Sequence, residues 1–222
     1  MTALVGESGS GKSTIARLLS HYYDVSAGEI TIGGQSLREM GLDSLNREVA
    51  YVSQELFLFN KSILENIRVG RPDASDEEVK EAARRAQCED FILELPQGYD
   101  TPAGTAGSKL SGGQRQRIAF ARVLLKDAPI IVLDEATAFI DPENEQKMNT
   151  AIAGIIRDKT VLVIAHKLSS IVSADKIIVL REGKIAAEGT HMELLQTSED
   201  YKKLWSASEE TRGWMLKGGE GA

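Results

Sequence analysis

Cysteine is nearly absent from this chain. Cys88 is its only one, which excludes an internal disulfide and a thiolate zinc cluster. Histidine is almost as scarce: His21, His166 and His191 stand too far apart in sequence for a compact metal motif. No apolar run approaches the roughly 20 residues a membrane-spanning helix needs. The longest bursts are five or six residues, such as Val161 to Ala165, and read as buried strands. Nothing at the start reads as a secretion signal. An excess of positive charge is also missing. With 26 Lys and Arg against 33 Asp and Glu the net charge is −7, which disfavours a general polyanion binder. What is present is 42% apolar and 27% charged residues in 222, enough for one large domain or two small lobes around a packed core.

Thr2 to Val5 read as a short buried strand, and Gly6 to Ser13 then spell GESGSGKS ahead of a helical run, Thr14 to Leu19. This is the pattern G-x-x-x-x-G-K-[ST] between a strand and a helix, the context a phosphate-binding loop requires. Gly6, Gly9 and Gly11 let backbone N–H groups turn around phosphate oxygens with no Cβ in the way. The helix adds its positive dipole end. Lys12 supplies a mobile charge for the β and γ phosphates, and Ser13 a hydroxyl for Mg²⁺. The bland alternative, a flexible Gly/Ser loop capping an ordinary helix, explains the pattern far less well.

Further strands are expected over Ala27 to Gly34, Glu48 to Ser53, Ile130 to Leu133, Thr160 to Ala165 and Lys176 to Leu180, the last turning at Arg181–Gly183 into Lys184 to Glu188. Ser75 with Glu78, and Thr190 with Glu193, are capping boxes that open helices. A second helical piece covers about Asp90 to Leu95 before Pro96, and Pro96 to Lys109 reads as loop. Ser111 caps a long helix to about Lys126, Asp141–Pro142–Glu143 starts another, and Leu204 and Trp205 belong to a last one. Glu55 to Gly70 is apolar and aromatic without clean periodicity. Alternating strands and helices predict an open α/β sheet, with a largely helical block near residues 56–125 inserted into it.

Ile130 to Glu135 (IIVLDE) is a buried strand delivering two carboxylates at its C-terminal end, the side of an open α/β sheet where ligands bind. Asp134 can reach Mg²⁺ directly or through water, and Glu135 can polarise an attacking water. Such a pair alone is often a mere loop start; beside a phosphate loop the functional reading prevails. Leu110 to Gln114 spells LSGGQ, with a Ser cap, two glycines and a helix N-terminus, physically a second anion site. Two phosphate-facing helix starts are hard to explain with one nucleotide held by one subunit.

The combination of GESGSGKS, Gln54, LSGGQ, IIVLDEA, Asp141 and His166 closely resembles the nucleotide-binding domain of ATP-binding cassette (ABC) transporters, over nearly the whole chain. The resemblance implies a P-loop NTPase fold of α/β class, with a mostly parallel central sheet, an inserted helical subdomain and a small antiparallel portion. It implies a catalytic lobe formed by about 1–55 and 126–222 and a helical signature lobe over about 56–125. It extends the nucleotide-binding set to Gly6, Glu7, Ser8, Gly9, Ser10, Gly11, Lys12, Ser13, Thr14, Gln54, Ser111, Gly112, Gly113, Gln114 and Asp141. Ser13, Gln54 and Asp134 are the implied Mg²⁺ ligands, and Glu135, His166 and Lys12 the catalytic group. Gln54 matches a glutamine that also senses the γ phosphate, Asp141 a residue at the dimer seam, and His166, ending the strand TVLVIA, a switch histidine for the γ phosphate or water. Asp141 also suits an N-cap; His21 and His191 read as surface or packing residues.

In this family two such domains pack head to tail with two ATP molecules between them, the phosphate loop of one facing LSGGQ of the other. That arrangement answers the puzzle of two anion sites. Phe57, Leu58 and Phe59 look like the surface receiving a coupling helix from a membrane domain, although a core stripe would also account for them. The implied partners are therefore a transmembrane domain and a second nucleotide-binding domain, with no nucleic acid. The full protein is expected at the cytoplasmic face of the cell membrane, and this piece by itself to be soluble.

Three departures stand out. Exporter-type domains usually carry glutamate where Thr105 stands, and Ala138 to Asp141 (AFID) differs from the commoner small-residue form. The aromatic expected to stack on adenine should precede the phosphate loop, where only Met1 to Val5 stand. The chain thus reads as the ATPase domain of an exporter-type half-transporter without its membrane domain and first strands. The run AFIDPENE is similar to half-transporters of that fold, some of which import metal chelates. A chromosome-maintenance or DNA-repair ATPase of the same class would need a long coiled coil between the motifs, yet Lys12 and Ser111 are separated without sustained heptads. A small GTPase lacks support because Asn60–Lys61 continues as Ser-Ile, and a small-molecule kinase would leave LSGGQ unexplained.

Overall fold

The computed structural model describes residues 1–134, 152, 154, 156, 158–165 and 167–217, with side-chain surroundings through Glu209. Glu135, the run Ala138 to Asp141, the helix start at Asp141 and His166 lie outside the described residues. The fold is mixed α/β, with a mostly parallel central sheet and a small antiparallel one. The chain divides into two compact units, one of residues 1–28 and 162–222, the other of residues 29–161.

In the first unit β1 (Thr2–Val5) pairs in parallel with a later strand on each side, and its successive residues Ala3, Leu4 and Val5 are all buried, so both its faces are covered. That is why Ala3, Leu4 and Val5 are apolar in succession rather than alternating with polar residues. Ala3, Val5, Ile177, Val179, Leu194 and Tyr201 belong to one buried cluster beneath this part of the sheet. β1 leads through the Gly6–Gly11 loop into α1 (Lys12–Leu19).

In the second unit a two-residue hairpin, β2 (Thr31–Ile32) and β3 (Gln35–Ser36), turns at Gly33–Gly34. The strand expected over Ala27 to Gly34 is therefore only its last part. α2 (Leu42–Glu48) was not foreseen; it leads into β4 (Val49–Val52). The apolar stretch without periodicity folds as a loop followed by a short helix, α3 (Ile63–Arg68), capped by Ser62. α4 (Asp76–Arg85), α5 (Glu89–Glu94) and α6 (Gly112–Lys126) complete the helical part, and β5 (Ile130–Asp134) lies parallel to β4. Beyond α3, Gly70 lies so close to α6 that a Cβ there would stand 2.3 Å from the Arg122 carbonyl oxygen. Only hydrogen fits at that approach.

β6 (Thr160–Ile164) and β7 (Lys176–Arg181) are the parallel neighbours of β1, and β8 (Lys184–Gly189) returns antiparallel to β7. α7 (His191–Thr197) and α8 (Glu199–Lys217) follow. His191 is a packing residue: its Nδ1 pairs with the Tyr201 hydroxyl at 2.8 Å and its ring lies 4.6 Å from that of Trp205. No described helix is long and apolar enough to cross a membrane.

Both expected capping boxes are formed. Ser75 and Thr190 accept from the backbone N–H of Glu78 and Glu193, whose carboxylates accept from the cap N–H in return. Those backbone and side-chain hydrogen bonds hold both carboxyls below the ordinary glutamate value of 4.5. A lowered folded value means stability that is present above the unfolded value and lost as pH falls through the folded one. Amide exchange in the first turns of α4 and α7 is accordingly expected to accelerate below about pH 4.5 relative to the Ser62-capped start of α3, which has no such return bond. Equal acceleration at all three starts would contradict it.

Candidate nucleotide site

The phosphate loop is shaped by glycines at positions no other residue tolerates. Gly6 and Gly11 have φ of +151° and +101°, and a Cβ on Gly6 would stand 2.2 Å from the Leu180 carbonyl oxygen. The loop is pinned from the β7–β8 turn by Gly183 N–H donating to Ser10 O at 3.1 Å. Lys12 is buried, and its Nζ donates to the carbonyl oxygens of Gly6 and Glu7, both at 2.8 Å, and to Ser10 Oγ at 3.3 Å. Glu7, Ser8 and Gly9 are exposed along the loop's crest, and Ser13 and Thr14 follow Lys12 in the first turn of α1. That turn has Gly11 at its N-cap with no side-chain cap, and carries no acidic residue. An ordinary surface helix places an acid or a capping oxygen there; leaving the positive end clear suits an anion from outside.

The second anion-type helix start is equally well formed. Ser111 caps α6 by accepting from Gln114 N–H at 3.2 Å, and Gln114 Oε1 accepts from Ser111 N–H at 2.9 Å. The reciprocal bond makes this a third capping box, with Gln114 in the place glutamate usually takes. Gly112 and Gly113 occupy the first two helical positions with nothing larger than hydrogen on their α-carbons. Below them α6 turns apolar, and Ile118, Phe120 and Leu124 anchor it in the helical core.

Asp134 closes β5 and is buried. Tyr51 Oη donates to its Oδ2 at 2.9 Å. Tyr51 is a site residue that sequence reasoning missed; as one more apolar-type residue in EVAYVS it carried no signal of its own. Gln54, two residues past the end of β4, is exposed. Asp134 is a carboxylate and Gln54 an amide of the same unit, both hard oxygen donors of the kind Mg²⁺ takes. Among the described residues no group of three or more His, Cys, Asp or Glu could hold a metal unaided. One carboxylate plus phosphate oxygens is the usual environment of nucleotide-bound Mg²⁺.

The run Phe57, Leu58, Phe59 resolves into two roles. Leu58 is fully buried, whereas Phe57 and Phe59 are 57% and 45% exposed and meet edge to face at 5.3 Å. They border a groove of about 340 Å³ that Val69, Val123 and Lys126 also line. Behind it lies a polar clamp that the sequence did not reveal. Asn66, fully buried, donates through Nδ2 to the carbonyls of Phe59, Lys61 and Ser62, and its Oδ1 accepts from Phe59 N–H and from Arg122. Arg122 also donates to the carbonyls of Asn66 at 2.7 Å and Phe57 at 2.8 Å, and its burial pushes its pKa down to about 10.

The sequence profile described as ABC transporter matches residues 1–138, well over half the chain. The chain belongs to the ABC transporter family. It is the nucleotide-binding ATPase domain of that family. The mycobactin import ATP-binding/permease protein IrtA of Mycolicibacterium smegmatis is 50% identical over 209 residues, covering 94% of this domain and 24% of that protein. The ATP-dependent lipid A-core flippase of Legionella pneumophila (strain Paris) is 48% identical over 207 residues, 93% of this domain and 35% of the flippase. The structure of a bacterial Atm1-family ABC exporter with ATP bound superposes with a TM-score of 0.88 at 45% identity, over 93% of this domain and 36% of the exporter. The ABC domain thus spans about a quarter to a third of the length of the relatives it matches.

Proposed function

We propose that this domain binds ATP with Mg²⁺ and hydrolyses it in a head-to-tail pair with a second nucleotide-binding domain, powering transport through a membrane domain. The observation that carries the reading is the presence of two preformed, glycine-bearing helix starts in one chain: α1 behind the phosphate loop, and α6 behind Ser111. One triphosphate held by Gly6 to Thr14 of one copy and by Ser111 to Gln114 of the other uses both. Its negative charge then meets the positive helix ends of both copies, a local attraction that opposes the net repulsion of two subunits carrying −7 each.

Within the pocket, Lys12 exchanges its loop carbonyl partners for β and γ phosphate oxygens, so the loop is preformed and only the lysine's contacts change. Mg²⁺ bound by Ser13, Gln54 and Asp134 would neutralise charge developing between the β and γ phosphates. Glu135 accepts a proton from the attacking water, His166 donates a hydrogen bond to the γ phosphate, and Asp141 lies at the seam between the two copies. Loss of the γ phosphate removes the bridge, and the pair opens. Phe57 and Phe59 form the contact to the membrane domain, through which opening does work on the transported substrate. In the same reading residues 1–55 and 126–222 form the catalytic lobe and 56–125 the signature lobe.

Ser111→Arg tests the paired pocket. Hydrolysis is expected to vanish, while ATP binding to the single subunit, followed by fluorescence of a labelled nucleotide, stays within about two-fold because the phosphate loop is untouched. Equal loss of both would mean that LSGGQ acts on the nucleotide of its own chain.

A further inference from the structure

We infer that Tyr51 is a positioning residue for Asp134, holding that carboxylate in the orientation from which it meets the Mg²⁺ of a bound nucleotide. The inference rests on the proposed role of Asp134 as the metal carboxylate. Its basis is the register of β4 on β5, in which Tyr51 stands opposite Val132. Side chains alternate along a strand, so Val132 and Asp134 share a face with Tyr51, and Asp134 lies two residues further along. A tyrosine is long enough to span that diagonal, and its hydroxyl reaches Oδ2 at 2.9 Å. A shorter residue at position 51 would not.

The chemistry of the partner matters as much as its reach. Asp134 is only 4% exposed, and a buried carboxylate is costly unless hydrogen-bonded. A lysine or arginine in this place would satisfy it and cancel its charge, weakening its pull on a cation. A phenol donates one hydrogen bond and stays neutral, so it orients the carboxylate without itself cancelling the carboxylate's charge. Partners of this kind, one step removed from a metal, set ligand direction, and their loss typically lowers metal affinity by about ten-fold or more.

The test uses Tyr51→Phe, which removes one oxygen and keeps the ring, in the 222-residue chain. The probe is a non-hydrolysable ATP analogue titrated calorimetrically, once with Mn²⁺ and once with EDTA, with the electron paramagnetic resonance line of bound Mn²⁺ as a second readout. The variant is expected to bind the metal-free analogue as the parent does, to bind the Mn²⁺ complex about ten-fold more weakly, and to alter the Mn²⁺ line. Asp134→Asn is run in parallel. If it weakens Mn²⁺-dependent binding and Tyr51→Phe does not, the inference about Tyr51 is overturned while the role of Asp134 stands. If Asp134→Asn leaves Mn²⁺-dependent binding unchanged, the role of Asp134 falls, and the inference with it. An equal loss with and without metal in Tyr51→Phe would mark Tyr51 as merely structural and overturn the inference too.

Discussion

Glu135→Gln is expected to lower ATP turnover by about 10²–10⁴, the usual worth of a general base, or about 3–5 kcal/mol in the barrier. The amide keeps the size and polarity of the carboxylate but cannot take a proton from water, so ATP binding should survive while cleavage stops. The reading by which triphosphate joins two copies adds a second consequence. An uncleaved bridge cannot open, so the variant with Mg²⁺ and ATP should sediment at twice the mass of the chain, 24.2 kDa, and return to single copies when nucleotide is removed. Parent-like turnover would assign the base elsewhere. Slow turnover without doubled mass at saturating ATP would leave Glu135 catalytic and remove the sandwich.

The second large effect is on stability. Asn66→Ala deletes a fully buried amide that satisfies three backbone carbonyls and one backbone N–H in the loop from Phe59 to Ser62. Alanine leaves those groups without partners where water cannot readily replace the amide, at about 1–3 kcal/mol for each group left bare and less than additively in sum. About 3 kcal/mol overall, or roughly 10 °C in the midpoint of thermal unfolding, is expected for a chain of this size. Asn66→Asp should do no better despite its identical shape and its position beside Arg122. A carboxylate turned toward three carbonyls repels where the amide donated. A midpoint within about 2 °C of the parent for both variants would mean that the loop is held by Leu58 and Arg122 alone.

Arg122 links this loop to the helix that Ser111 starts, since both lie on α6. The exposed pair Phe57 and Phe59 therefore stands on a scaffold fastened by hydrogen bonds from Asn66 and Arg122.

Much of the architecture was legible because its signals are local. A parallel strand buried on both faces shows as a short unbroken apolar run, as in residues 3–5 of β1 and 130–133 of β5. Ser75 with Glu78 and Thr190 with Glu193 are recognisable because cap and return bond lie three residues apart. The phosphate loop is legible for a similar reason: its glycines, Lys12 and Ser13 act through backbone conformation and a single helix end. By contrast, α2 has Gly41 at its N-cap with no side-chain cap bond and buries only Leu45, so little in its sequence announced it. The Ala27 to Gly34 strand shortened to two residues because only Thr31 and Ile32 find a ladder partner, across the turn in Gln35 and Ser36.

Sequence alone determined the chemistry available to this domain: which helix starts carry glycines and no acid in their first turn, and which strand ends in a carboxylate. Those features depend on residues within a turn or two of one another. Only the tertiary structure decided which polar side chains meet across distance. Tyr51 reaches Asp134, and Asn66 and Arg122 clamp the loop below Phe57 and Phe59, because strand register and helix packing bring together residues 83 and 56 positions apart. No local pattern encodes such a pairing, since a tyrosine in a strand or an arginine in an apolar helix has many possible neighbours until the fold selects one.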